Sequence, residues 1–130
     1  MNINFQFVTI IVMFATLLWQ IIGYKKVARY TLFAEYTKRY QEIMLALPED
    51  LGEETAFENK EKSYLRAYFD LCSEEYFLHK KGNLNKEVWK EWKEGMKIAF
   101  NKKAIFDYWQ EKKTCYEDFN KFVEKELIKK

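Results

Sequence analysis

A chain of 130 residues carries 22 Lys and Arg against 20 Asp and Glu, one His and a formal charge of +2; that length suits one compact domain. Four Gly and one Pro exclude a collagen-like or linker chain, two Cys exclude a disulfide scaffold, and an aromatic share of 18% argues against disorder. So near-neutral a balance leaves no strong field for phosphates, and no nucleic-acid partner is expected.

The charges begin late. No Lys, Arg, Asp or Glu precedes Lys25, and residues 5–23 read FQFVTIIVMFATLLWQIIG. As a helix these nineteen residues cover roughly 28 Å, close to the hydrocarbon thickness of a bilayer. A cleaved signal peptide needs a basic start, a shorter apolar core and a small-residue cleavage site. Nothing basic precedes this run, and it ends on Trp19, Gln20, Ile21 and Ile22. A buried helix of a soluble oligomer is the remaining competitor. The sequence therefore predicts an uncleaved membrane anchor over residues 1–24 and an all-α domain over residues 25–130.

The flanks set the expected orientation. Lys25, Lys26, Arg29, Lys38 and Arg39 follow the span, which puts the C-terminal side in the cytoplasm and the N-terminus outside, across a cell inner membrane. Cys72 and Cys115 are then expected as free thiols. Trp19 and Tyr24 stand where an interfacial aromatic belt belongs. Within the span, Asn2, Gln6, Thr9, Met13, Thr16, Gln20 and Gly23 fall in one arc of about 100°. That stripe predicts a seam for a partner span or a second copy, against the alternative of tolerated polar residues bonding back to their own helix.

With no Gly or Pro from 24 to 47, the span should continue directly into a helix whose inner stripe is Phe33, Tyr36, Tyr40, Ile43 and Leu47. Pro48 stops it, and residues 48–54 read as a polar loop. A second helix, from about Thr55 to Lys81, turns Tyr64, Leu65, Tyr68, Leu71 and Cys72 inward and is capped by Gly82. Asn85 caps a third helix to about Asn101, with Val88, Trp92, Gly95, Met96 and Ala99 inward and Trp89 nearer the surface. Gly95 should allow a close helix approach. A fourth helix, about 102–112, presents Ile105, Tyr108 and Trp109. Thr114 and Glu117 form a capping-box pattern for a fifth, with Tyr116, Phe119, Val123 and Leu127 inward. The expected fold is an N-terminal transmembrane helix continuing into a bundle of four to five helices.

Chemistry has little material here. There is no GxSxG, P-loop, strand-borne GxGxxG or zinc pattern, so no enzyme and no cofactor is expected. Glu75 is the notable residue, because helical spacing places it on the inner face with Tyr64, Tyr68 and Cys72, and His79 follows one turn on. The bland reading is a structural carboxylate paired with an arginine, Arg29 or Arg66, or accepting tyrosine hydroxyls. The sharp one is a ligand site. A Cys72–Glu75–His79 metal set has the side chains but lacks a second CxxC or HxxE element. His79, the one imidazole, sits beside Lys80 and Lys81 near a helix end, a position that suits capping better than general-base work. Trp89/Trp92 and Lys90/Lys93 interleave rings and cations, but Glu87, Glu91 and Glu94 cancel the charge that nucleic-acid stacking would use.

Several segments together carry a family likeness: LFAEYTKRY (residues 32–40), RAYFDLCSEEY (66–76), EVWKEWKEGM (87–96), FDYW (106–109) and FNKFV (119–123). In these the chain resembles a family of small, uncharacterised bacterial and phage proteins with an apolar N-terminal anchor and a helical domain. The resemblance implies a bacterial or phage source and an anchored helical chain, and it supplies no activity and no site residues. Two functions are in contention. One is a non-enzymatic membrane-anchored protein that self-associates or docks a transmembrane or cytoplasmic partner. The other is a small-molecule sensor or defence-related membrane effector with an aromatic pocket near Glu75.

Overall fold

The computed structural model describes residues 2–48 and 57–129. Among these residues the regular structure is helical throughout, and no strand occurs. Helix α1 spans Asn2–Ala46, α2 Asn59–Lys80, α3 Lys86–Phe100, α4 Lys103–Lys112 and α5 Glu117–Phe122. A 3₁₀ turn, Lys113–Cys115, joins α4 to α5, and α5 widens into a π turn over Val123–Leu127. The expected loop beyond Pro48 and the expected start of the second helix at Thr55 lie outside the described residues.

Helix α1 is uninterrupted for 45 residues, about 68 Å of axis, because nothing in it breaks a helix until Leu47 is turned aside by Pro48. The chain divides into two compact units, Met1–Glu35 and Tyr36–Lys130, so the expected boundary at 24 falls inside the first unit. In that first unit every residue from Asn4 to Thr31 is exposed. Its most apolar eighteen-residue stretch has a mean hydropathy of 2.0 with none of it buried, and the helix is long and apolar enough to cross a membrane.

The second unit builds its core from aromatic rings. Phe69 and Trp109 have no exposed surface and meet edge to face at 5.0 Å between centroids. Phe100, also fully buried, lies 5.5 Å from Phe69 and 5.1 Å from Trp109, and Phe119 closes on Trp109 at 5.6 Å. Offset and edge-on contacts of this kind add to what burial alone contributes. The Trp109 indole N–H donates to Asn120 Oδ1 at 3.2 Å, which satisfies the one polar atom on that ring. The inner residues expected on α4, Ile105, Tyr108 and Trp109, are all buried.

The caps are explicit. Gly82, at φ +74°, ends α2 in a Schellman arrangement: its N–H bonds the His79 carbonyl, and the Asn83 N–H bonds that of Leu78. Asn85 Oδ1 accepts from the Glu87 N–H at 2.8 Å and starts α3. Asn101 closes two ends together. Its Nδ2 donates to the Lys97 and Leu127 carbonyls at 2.6 and 2.7 Å, and its Oδ1 accepts from Lys129 N at 3.0 Å.

Four expectations need correction. Helix α3 turns Trp89, Met96 and Phe100 inward, an i, i+7, i+11 stripe rotated by about 80° from the expected face. Trp89 is buried because α2 and α5 supply His79, Tyr76 and Phe122 around its indole, whereas Trp92 is half-buried. Gly95 is exposed, and a Cβ there would meet nothing within 4 Å. The Thr114–Glu117 capping box does not form: Thr114 is spent in the 3₁₀ turn and Tyr116 stands at the α5 N-cap without a side-chain bond. On α1, Tyr36, Ile43 and Leu47 are buried, but Phe33 and Tyr40 keep 38% and 45% of their surface exposed.

The two glycines should therefore respond with opposite signs. In denaturant unfolding of the detergent-solubilised chain, Gly95→Ala should raise stability by about 1 kcal/mol through helix propensity. Gly82→Ala should lower it by about 1 kcal/mol, because a Cβ disfavours a positive φ.

Candidate functional site

Helix α2 presents a polar line inside an apolar face. Tyr68, Cys72 and Glu75 stand at i, i+4 and i+7, exposed by 3%, 1% and 6%. Tyr68 is set among rings, with Phe69 at 6.4 Å, Phe100 at 6.3 Å and Tyr40 at 6.3 Å between centroids. Burial pushes its hydroxyl well above the usual range, and the neighbouring Cys72 thiol adds to this. Burial likewise raises Cys72, with Glu75 as the second cause. A thiol held neutral in this way is a small core residue rather than a nucleophile.

Glu75 differs from the salt-bridged carboxylate expected of it. Loss of solvent pushes its carboxyl up to about 8; Arg39 pulls down and Glu74 pushes up, both more weakly. The arginine from the first helix does arrive, but it is Arg39, and its Nη1 bonds Glu74 Oε2 at 2.7 Å. Glu74 Oε2 also accepts from the Tyr36 hydroxyl at 3.2 Å. The physical reason is solvation. Arg39 and Glu74 keep 35% and 48% of their side chains exposed, so this pair forms without the desolvation that pairing at Glu75 would demand.

The candidate residues differ in their surroundings. Tyr64 is half-buried at the edge of the α2 face. His79 stacks on Trp89, centroids 4.2 Å apart and planes within 6°. Its imidazole is held below its usual range by burial first and by Lys93 second, with Glu126 opposing. Lys93 and Glu126 pair at 3.3 Å. Glu75 thus answers to Arg39 and Glu74, while His79 answers to Lys93 and Glu126. Among the described residues no group of three His, Cys, Asp or Glu is arranged to hold a metal ion.

An open cleft of about 480 Å³ runs along the solvent side of this region, lined by Arg39, Glu42, Asp70, Ser73, Glu74 and Tyr116 among others. The Tyr116 hydroxyl donates to Asp70 Oδ1, and burial with this bond lifts the phenol far above its ordinary value. Asp70, Glu74 and Arg39 are each committed to a partner within the wall. Neither Glu75, Tyr64, Tyr68 nor His79 lines the cleft. Sequence reasoning missed Tyr116–Asp70 and Arg39–Glu74 because both pairs join residues at least 35 positions apart. The seam residues Gln6, Thr9, Met13, Thr16, Gln20 and Gly23 are exposed, and two of the hydroxyls bond locally: Thr9 Oγ1 donates to the Phe5 carbonyl at 2.9 Å and Thr16 Oγ1 to that of Val12 at 2.8 Å.

Glu75 should make stability depend on pH. The folded chain keeps its proton up to about pH 8, whereas the unfolded chain ionises near 4.5. The native state therefore binds more protons across that window, and stability falls as pH rises through it. Glu75→Gln removes the ionisable group, so it should gain on the order of 1–3 kcal/mol at about pH 8.5 and change little at about pH 4. Thermal unfolding of both proteins at the two pH values measures this. A loss at both would show that the carboxylate is ionised and paired.

No protein-family model, no curated protein and no solved structure matches the chain.

Proposed function

We propose that this is a single-pass protein of a bacterial inner membrane, with its N-terminus outside and a cytoplasmic helical bundle, acting through protein–protein contact rather than catalysis. One observation carries the reading: residues 5–23 lie in a helix that bears no charged side chain over this stretch and is exposed along its whole length. The cations that follow the span supply the orientation. The partner is another transmembrane or cytoplasmic protein, or a second copy. If the seam mediates it, Gln6 and Gln20 supply the interhelical donors, because the Thr9 and Thr16 hydroxyls already donate to their own helix and can only accept.

Non-enzymatic action is supported by the use to which reactive groups are put. Cys72 is buried, the His79 ring is stacked on an indole, and the cleft carboxylates Asp70 and Glu74 are bonded to Tyr116 and to Arg39 and Tyr36. A sensor or defence-related effector with an aromatic pocket at Glu75 has less support, since Glu75 is buried behind Glu74 and the open cleft is lined without it.

The test is fractionation and labelling. The full-length chain should stay with membranes after carbonate washing. A membrane-impermeant maleimide should label it only once the inner membrane is opened, and at Cys115, because Cys115 is exposed and Cys72 buried. Recovery in the soluble fraction, or labelling of intact spheroplasts, would overturn the anchor or its orientation respectively.

A further inference from the structure

Residues just past the span carry charge that nothing in their unit balances. Lys25, Lys26 and Arg29 are exposed and lie within one arc of about 100° on α1. Arg29 is four residues from Lys25 and three from Lys26, so like charges stand as neighbours about 5–6 Å apart at Cβ, a spacing that destabilises a bare helix. The first acid in the unit is Glu35, about 9 Å further along the axis than Arg29 and about 15 Å beyond Lys25. That exceeds the screening length of about 8 Å at physiological salt. Within their own unit the three cations have no acid at close range.

Their depth says what they meet. If residues 5–23 fill the hydrocarbon, Lys25, Lys26 and Arg29 stand about 3, 4.5 and 9 Å beyond its edge. The headgroup layer occupies about 5–7 Å on each side of the hydrocarbon, so the phosphates lie at the height of Lys25 and Lys26, while Arg29, whose backbone is just beyond the layer, has a side chain long enough to lean back toward them. Trp19 and Tyr24, exposed by 78% and 77%, bracket the same boundary and hold the helix in register with it.

We propose that Lys25, Lys26 and Arg29 form a binding site for the phosphate headgroup of an anionic phospholipid in the leaflet that the charged flank enters. The inference rests on the membrane-spanning reading. The guanidinium supplies paired donors to phosphate oxygens and the two ammonium groups supply neutralising charge, which relieves the repulsion within the triad. Lipid selectivity then becomes a property of the anchor rather than of the bilayer at large.

The test uses the full-length chain reconstituted in vesicles of phosphatidylcholine with phosphatidylglycerol as the minority lipid. Trp19 is the one tryptophan of the span, so its fluorescence reports lipids brought against the helix. Acyl-brominated phosphatidylglycerol should quench it at least about twofold more efficiently, mole for mole, than brominated phosphatidylcholine. The preference should vanish in Lys25→Gln/Lys26→Gln/Arg29→Gln and survive in Lys25→Arg/Lys26→Arg. Equal quenching by the two lipids in wild-type protein that floats with the vesicles would overturn the headgroup site alone. Protein left behind on flotation and quenched by neither would overturn the span and the site with it. Inorganic phosphate, matched in ionic strength with chloride, should leave the preference intact; its selective loss would assign the triad to free phosphate and overturn the lipid site.

Discussion

The Phe69 ring, with no exposed surface, lies within 6.4 Å of the rings of Phe100, Tyr108, Trp109 and Tyr116, so that α2, α3, α4 and the entry to α5 all end on one side chain. This contact is what the second unit depends on. Helices α3 and α4 are 15 and 10 residues long, lengths at which an isolated helix is marginal in water. They persist because each buries two or three large rings against Phe69 and its neighbours, where edge-to-face geometry fixes the angle of approach. Truncating Phe69 would leave a void touched by four elements, which ranks it above any single capping contact.

The polar line on α2 runs beside that ring cluster and follows a different rule. Burial of Glu75 disfavours the charged form, and its carboxyl is pushed up to about 8. Arg39 contributes from a distance while bonding Glu74, where water still shares the charge. Two adjacent glutamates thus divide the work. Glu74 ties α1 to α2 through Arg39 and Tyr36 at the surface, and Glu75 packs as a neutral side chain behind it. Such a division makes the domain more stable on the acid side of neutrality, the reverse of a carboxylate held ionised by a salt bridge.

How far the sequence could be read depends on how local each signal is. The long apolar N-terminal helix, the stop before Pro48, the Gly82 cap and the Asn85 cap are set by neighbouring residues, and each stands as expected. The inward face of α3 was misread because two tryptophans sit three residues apart, and periodicity alone does not say which one meets a partner. The Trp89–Met96–Phe100 stripe is tighter than the expected one, and weighing ring size at i, i+7 and i+11 would have found it. Burial of Glu75 was legible from spacing to Tyr68 and Cys72. Its protonation was not, because that turns on Arg39, 36 positions away, choosing Glu74. Asn101, which joins the ends of α3 and the π turn, gives no sequence signal beyond an asparagine after a helix.

The first unit poses the sharper physical question, since its exposed side chains include Phe5, Phe7, Ile10, Phe14, Leu17 and Ile22. Leaving one such side chain in water forgoes roughly 1.5–3 kcal/mol, and a whole turn of them exceeds the net stability of a small domain. Something must cover them. A soluble oligomer would need one apolar stripe per helix and a charged face toward water. This stretch has no charged face: its polar residues, gathered in one arc, are amides and hydroxyls, two of the latter already bonded to backbone carbonyls. The pattern therefore favours a bilayer over a protein shell. On the proposed span, a seam through Gln6 and Gln20 would be a contact made after the helix has left water, rather than the force that removes it.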